Sequence, residues 1–467
     1  MLGLRGAKPS PDPPNLLRVM PAKGVDQMAI EPQVEPPIRL DEPPARVLGL
    51  WDQTVLWSSL GVSLLLPVTA GFFNPDLSLF AVLTAIVVGS IIGNVLLGLA
   101  AVPGAETGAP AMVLFRGVFG HRGSYVPTAV NLAQCVGWAT FEVVIIAESG
   151  DQIIGGGWRW PLVVIAGTAA TLMAIRPLAV VQVLKRYIVW LVAASTIWFF
   201  VEALRSDLPG FTDGNWNDFW PTADLVAALS VTWMPLAADY SRHSRKASDA
   251  FWGAAIGYAV SSVAFFTLGV LVLRGFEGGD VILSLLAIPA GGLALAILAV
   301  DEVDEAFANI YSTAVSAQNV VPRVDRRLLA VLVGVTATVL ALVINIHAYE
   351  DFLLLLGSIF VPLFGVLMVD YYVLSRRRWD VSESARPRLE MLLPWLIGFV
   401  VYQLVNPGIE PSWVKWWTDR REDLFTPPTW MGATIASFVT AAVLAYLIGS
   451  LTRRRPRRPA SSGTPTA

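Results

Sequence analysis

The chain has 467 residues, of which 55% are Ala, Val, Ile, Leu, Met, Phe, Trp, Tyr or Cys and only 15% are charged, with a mean hydropathy of +0.59. Ordinary soluble domains are about 45–50% apolar and about 25% charged, so a soluble globular protein is excluded and lipid is the expected solvent. The net charge of −3 gives no support to nucleic-acid binding, and the one cysteine, Cys135, excludes an intramolecular disulfide and reads as a small core residue.

Residues 1–45 are rich in Pro and charge and lack the apolar run of a signal peptide, so they are expected to form a disordered cytoplasmic leader. A spanning helix needs about 20 predominantly apolar residues. About twelve stretches qualify: 52–73, 78–101, 125–147, 161–175, 183–203, 221–240, 250–273, 284–300 running on to 319, 328–346, 351–374, 391–405 and 429–451. Trp51, Trp57, Trp158, Trp160, Trp216, Trp220, Trp416 and Trp417 stand beside the ends of these runs, where amphipathic rings anchor at headgroup level. The tail from Arg453 to Arg458 and the polar residues after it (453–467) are expected to be solvated and cytoplasmic.

Lys and Arg sort onto alternate connections. One set carries Arg116 and Arg122, then Arg176, Lys185 and Arg186, then Arg242, Arg245 and Lys246, then Arg323, Arg326 and Arg327, then Arg376, Arg377, Arg378, Arg386 and Arg388. The other carries Glu148 and Asp151, then Asp207, Asp213 and Asp218, then Glu277 and Asp280, then Glu350 and Asp351. The last connection of this second set mixes Lys415, Arg420 and Arg421 with Asp419, Glu422 and Asp423. By the positive-inside rule both termini are expected in the cytoplasm of a protein of the cell membrane.

Two stretches carry helix-breaking signals at matching places. The first reads Ser58-Ser59-Leu60-Gly61-Val62-Ser63 before Pro67, and the sixth reads Ser230-Val231-Thr232-Trp233-Met234-Pro235. Each opens a group of five spans, and interrupted helices at corresponding positions point to an inverted-repeat transporter with its site at mid-membrane. The alternative is a Pro kink of the kind membrane helices tolerate. The expected organisation is a first repeat over 46–205, a second over 206–378, and two additional spans over 379–452.

Three segments bring a resemblance. The first runs from Gly89-xxx-Gly93-Asn94 through Gly104 to Arg116 and Phe119-Gly120, ending with Asn131, Gln134, Gly137 and Trp138. The others are Trp233 to Arg242 and Asn309 to Asn319. Together they resemble the nucleobase:cation symporter family, the purine and cytosine permeases and their relatives among thiamine-precursor and hydantoin carriers. The resemblance implies a LeuT-like fold of two inverted five-helix repeats plus two helices, an all-α polytopic membrane protein. It also implies cation-coupled import of a nucleobase or related pyrimidine such as cytosine, a purine or a thiamine precursor; hydantoin, allantoin or nucleoside carriage on the same fold is the alternative. A receptor that keeps the shell without transport, or an intramembrane enzyme built on the acidic run 301–305, are rivals from other classes. No cofactor is expected, and the coupling ion is sodium or a proton.

A flat ring with a polar edge needs aromatic faces to stack on and amide or carboxylate groups at its rim. Gln134 and Trp138 are four apart and share a helical face. The resemblance makes Trp138 and Trp233 the ring-stacking pair and Asn309 the amide for the polar edge; packing between helices is the plainer alternative for each. With Ser63 these residues form the expected substrate set. Asp301, Glu302, Asp304 and Glu305 either cap an outer helix end in water or put an acid at membrane depth, where ionisable groups are functional by default. We expect the first pair to be solvated and Asp304 and Glu305 to be functional. In the LeuT-like scheme Ser59, Gly61 and Ser63 frame one half of a cation site and Ser312 or Thr313 the other, unless those hydroxyls bond back to their own helix. Asp239 with Arg242, and Arg116, are expected to form ion pairs at the inner mouth. His121, His243 and His347 are too dispersed for a metal site, and no phosphate-binding loop is present, so ATP-driven transport is disfavoured.

Overall fold

The computed structural model describes residues 42–175, 189–276, 280–422, 424–428 and 430–452. Most of the leader, the basic tail, the start of the fifth stretch (183–188) with Arg176, Lys185 and Arg186, and Glu277 and Asp423 lie outside the described residues.

The described residues are helical, with two isolated backbone bridges, Leu48 to Ser244 and Leu77 to Asn215. In chain order the helices are α1 (Leu50–Ser59), α2 (Leu65–Ala70), α3 (Leu79–Thr107), α4 (Ala111–Phe119), α5 (Tyr125–Ile154), α6 (Arg159–Ile175) and α7 (Val189–Arg205). There follow α8 (Phe219–Thr232), α9 (Met234–Ser241), α10 (Ala247–Gly275), α11 (Val281–Ala287), α12 (Gly291–Asp301) and α13 (Val303–Ala317). The last are α14 (Arg326–Val343), α15 (Tyr349–Met368), α16 (Leu392–Val405), α17 (Pro411–Arg421) and α18 (Ala433–Thr452).

Six unbroken helical segments, Leu79–Thr107, Tyr125–Ile154, Ala247–Gly275, Arg326–Val343, Ile346–Leu374 and Ala433–Thr452, are long and apolar enough to cross a bilayer. The first and sixth stretches are each split in two. α1 ends at Ser59 and α2 starts at Leu65, while α8 ends at Thr232 and α9 starts at Met234, with Pro235 supplying no backbone donor. A third break was not expected. The stretch read as one run from 284 to 319 divides into α11, α12 and α13. Ala290 takes a left-handed φ of 56° after Pro289, which separates α11 from α12, and Glu302 interrupts the helix again between α12 and α13.

Local chemistry sets the helix ends. Ser78 accepts from the Ala81 N–H at the start of α3, Asp280 from Leu283 at α11, Asp325 from Arg327 at α14, and Glu410 from Trp413 at α17. Gly108 closes α3 with φ 75°, a conformation that costs glycine nothing. Close helix packing also depends on glycine. A Cβ on Gly89 would lie 2.3 Å from the Ala223 carbonyl oxygen and one on Gly93 would lie 2.7 Å from that of Ala227, so the GxxxG pair lets α3 lie directly on α8.

The connections gather at two ends according to charge. At the basic end the Leu48 N–H donates to the His243 carbonyl, the Arg388 N–H to the Phe119 carbonyl, and Arg377 pairs with Glu106 at 3.0 Å. At the acidic end the Ser78 N–H donates to the Asn215 carbonyl, Asn74 to Asp218, and Arg159 to the Ile344 carbonyl. The alternation read from Lys and Arg thus matches which connections meet.

Candidate functional site

The break in the first stretch leaves the backbone from Leu60 to Leu64 outside a helix, and its polar groups must find partners elsewhere. They find them on the eighth stretch. The Ser59 hydroxyl donates to Asp304 Oδ2 at 3.0 Å, the Ser63 hydroxyl to Glu302 Oε1 at 2.6 Å, and the Leu64 N–H to Glu302 Oε2 at 2.8 Å. Gly61 faces α10, where a Cβ would lie 2.8 Å from that of Ser261. The breaks in the two stretches therefore sit against each other.

This corrects the expectation for the acidic run. Asp301 and Glu302 are not a solvated face: they are 6% and 1% exposed, and Asp304 and Glu305 are 8% and 1% exposed. Glu302 is held inside because it satisfies the backbone that the first break exposes. Asp304 Oδ1 and Glu305 Oε1 are buried with no hydrogen-bond partner.

Two aromatic groups flank these acids. Trp233 meets Trp57 edge-on with centroids 6.1 Å apart and Tyr258 at 6.0 Å, and Trp57 also meets Tyr240 at 6.0 Å. On the other side Trp138 meets Tyr349 at 5.9 Å and Phe352 at 5.4 Å, both edge-on. The carboxyl groups of Glu142 and Glu305 act electrostatically on Tyr258 of the first cluster and on Tyr349 of the second. Trp138 and Trp233 do not touch, and each presents its ring within a different aromatic cluster.

The remaining expected residues divide. Gln134 is buried and donates to Asn131 Oδ1 at 2.9 Å, while Asn131 donates to Ser316. Asn309 donates to the Glu305 carbonyl on its own helix at 3.1 Å, and the Thr313 hydroxyl donates to the Asn309 carbonyl in the same back-bonding manner. Ser312 reaches the Tyr240 hydroxyl at 3.5 Å. Ser59, Ser63 and Asp304 thus meet at the paired breaks, whereas Ser312 and Thr313 lie two turns or more along α13 and do not join them. Sequence reading missed Glu142, Tyr258 and Tyr349, and it misplaced Trp57, which is fully buried against Trp233, Tyr240 and Tyr258 rather than anchored at headgroup level. Glu142 had a legible signal, an acid four residues beyond Trp138 on the same face of an apolar helix.

At the basic end the expected Asp239 and Arg242 pair is absent among the described residues. Asp239 Oδ1 instead accepts the Ala111 N–H at 2.8 Å, because the chain leaving α3 returns over α9. Arg116 donates to Asn319 Oδ1 at 2.8 Å, and Asn319 donates to Ser124 and Thr128, so an amide takes the place of an acid partner there. At the acidic end a cavity of about 700 Å³ is lined by Phe72, Phe73, Glu148, Arg159, His347 and Glu350 among others. Trp138, Trp233 and Asn309 do not line it. Phe72, which lines it, meets Tyr349 with centroids 6.2 Å apart.

Residues 42–388 match the family described as permease for cytosine/purines, uracil, thiamine, allantoin. The chain belongs to this family. The permease is 23% identical over 331 residues to the cytosine permease of Escherichia coli (strain K12), covering 68% of this chain and 76% of that one. Among solved structures it is similar to Mhp1 in its inward-facing conformation, with a TM-score of 0.69 and 17% identity over 89% of this chain and 93% of that one. It is also similar to Mhp1, a nucleobase-cation-symport-1 family transporter, closed with bromovinylhydantoin bound, with a TM-score of 0.66, 17% identity, and coverage of 90% and 96%. The permease accordingly has a LeuT-like all-α fold and is an integral membrane transporter rather than an enzyme.

Proposed function

We propose that this permease is a cation-coupled importer of a nucleobase-like ring: cytosine, a purine, or a related pyrimidine such as a thiamine precursor. The observation that carries the reading is the pair of interrupted stretches whose breaks meet through buried acids, Ser59 on Asp304 and Ser63 on Glu302, with Trp233 at the break of the sixth stretch. Such a site offers ring faces and a polar rim in a region shut off from water. Trp138, Trp233, Asn309, Gln134 and Ser63 are the substrate residues of this reading, and Ser59, Gly61, Asp304 and Glu305 its cation residues, with Ser312 and Thr313 left out because they lie two turns or more along α13 from the breaks. The repeats run over 46–205 and 206–378, with additional spans over 379–452. The basic end faces the cytoplasm of the cell membrane, together with both termini.

A second reading keeps the fold and changes the solute to a hydantoin or allantoin. The similar Mhp1 structure with bromovinylhydantoin bound favours it. Uptake of labelled cytosine into proteoliposomes, competed by unlabelled cytosine, adenine, uracil, an aminopyrimidine, hydantoin and allantoin, decides between them. Competition by hydantoin or allantoin alone would replace the first reading with the second. No uptake or exchange of any of these would sink both. Cysteines introduced at 455–467 and labelled from outside intact cells would overturn the orientation; the native Cys135 is buried and leaves a clean background.

A further inference from the structure

Glu142 has no substrate or cation role in the reading above. Glu142 is on α5, four residues after Trp138 on the same face, and is 2% exposed. Its carboxyl group lies within hydrogen-bonding range of that of Glu302. The two groups are not equivalent. Glu302 already accepts one hydrogen bond on each oxygen, from the Ser63 hydroxyl and the Leu64 N–H. Glu142 Oε2 has no partner. Carboxylates only accept, so a hydrogen bond between the two acids requires a proton, and the acceptor pattern of Glu302 leaves Glu142 as its bearer.

The surroundings supply no counter-charge. Asp304 and Glu305 face Glu142 from α13, Tyr349 from α15 and Tyr258 from α10, while the connection between α1 and α2 contributes only the Ser63 hydroxyl and the Leu64 N–H. Asp301 adds a further acid from the end of α12. None of the ion pairs among the described residues reaches any of these acids. A buried charge without a partner is costly, and a proton is the smallest group that removes it. Access is short: Glu148, which lines the cavity at the acidic end, lies on the same helix about 9 Å from Glu142 along the axis.

We propose that Glu142 carries a coupling proton and passes its effect to the broken first helix through Glu302. With the proton in place, Glu142 donates to Glu302 and α5 is held to the connection between α1 and α2. When the proton leaves, two like charges face each other and that connection is pushed away from α5. The proton is taken from water at the acidic end and released to water at the basic end, and no bond of the solute changes. The inference rests on the transporter reading above for its role in coupling, though not for the presence of the proton.

Infrared spectroscopy of the purified full-length protein at neutral pH tests the proton without any solute. The parent should show a C=O stretch of a protonated carboxylic acid that Glu142→Gln lacks, and Glu302→Gln should shift it. Identical spectra in that region for the parent and Glu142→Gln would overturn the proposal. Should Glu142→Gln fail to fold, the shift in Glu302→Gln decides. In sodium-free proteoliposomes an inward pH step should drive accumulation of labelled cytosine by the parent, about tenfold per pH unit for one proton per solute. Glu142→Gln should only equilibrate it while keeping cytosine exchange. Accumulation by Glu142→Gln equal to that of the parent, or accumulation by the parent that follows sodium and ignores pH, would also overturn it. A parent that neither accumulates nor exchanges any base in the panel would refute the transporter reading instead, and the infrared result would still stand.

Discussion

Ser59 and Asp304, 245 residues apart in the chain, are joined by a hydrogen bond of 3.0 Å that ties the end of α1 to the first turn of α13. Asp304 Oδ1 has no partner, and Ser59 is the side chain that donates to Asp304 Oδ2. Ser59→Ala should therefore strand a buried acid and cost about 1–3 kcal/mol. A double-mutant cycle with Asp304→Ala, read from thermal unfolding in detergent, should show a coupling of about 0.5–3 kcal/mol. Strict additivity would mean that the two breaks are held together by something else.

The contact of α3 with α8 should be intolerant of side chains. Gly89→Val places a branched side chain where even a Cβ falls 2.3 Å from the Ala223 carbonyl oxygen and 2.8 Å from the Val226 Cβ. Backbone cannot yield as a flexible side chain can, so a loss of about 1–3 kcal/mol or more is expected, seen as a lower melting temperature and poorer monodispersity. Wild-type behaviour for Gly89→Val would contradict the close approach of these helices.

These examples mark what was legible in the sequence. The Ser58–Ser63 and Met234-Pro235 breaks are local signals whose physical meaning does not depend on distant residues, and they led directly to helix interruption. The alternation of Lys and Arg likewise foretold which connections meet. The burial of Glu302 was not legible, because its partners are 238 and 239 residues away. Read locally, a run of four acids in five positions looks solvated. Only the need of the Leu64 N–H for an acceptor explains why it turns inward. The Ala111 N–H as a partner of Asp239 Oδ1 was not legible either, since it comes from another helix 128 residues away.

Acid should loosen the junction beside α9. Burial, with Arg242 next to it, pushes the His243 imidazole down to about 4. The ring is satisfied as a neutral species: Nδ1 lies 3.0 Å from the Ala45 carbonyl and Nε2 accepts from Arg242 Nε at 3.4 Å. A second ring proton would face Arg242. Because the folded value lies below the ordinary 6.5, the unfolded chain binds the proton first, so this contribution is complete above about pH 6.5 and is lost as pH falls toward about 4. Thermal stability of the parent should drop more steeply across that window than that of His243→Gln. Parallel curves would remove His243 from the account.

Aromatic truncation separates the two ring clusters. Trp138→Ala and Trp233→Ala should each weaken binding of the solute by about 1–3 kcal/mol, the worth of one stacked face, with membrane insertion unchanged. Trp138 is held by Tyr349 and Phe352, and Trp233 by Trp57 and Tyr258, so the two losses should add. Equilibrium binding to the purified variants measures both. Parent affinity in both variants would end the stacking assignment.

Glu305 offers the sharpest test of what the rim recognises. It is 1% exposed, Oε1 has no partner, and it precedes Asn309 by one helical turn, with Asn309 donating to its carbonyl. A carboxylate accepts hydrogen bonds and cannot donate, so it suits an exocyclic amino group, such as that on the cytosine ring, and repels an oxo group at the same position. Asn309 can do either. Glu305→Gln should therefore lower affinity for cytosine and aminopyrimidines by about ten- to hundredfold, the cost of about 1–3 kcal/mol for an unmade buried hydrogen bond, and leave uracil or hydantoin unchanged or improved. Asn309→Ala should weaken all of them together. Competition curves for the four solutes on parent and both variants give the comparison. Equal losses for amino and oxo rings in Glu305→Gln would place that acid away from the solute, and its unpartnered oxygen would then need a cation to account for it.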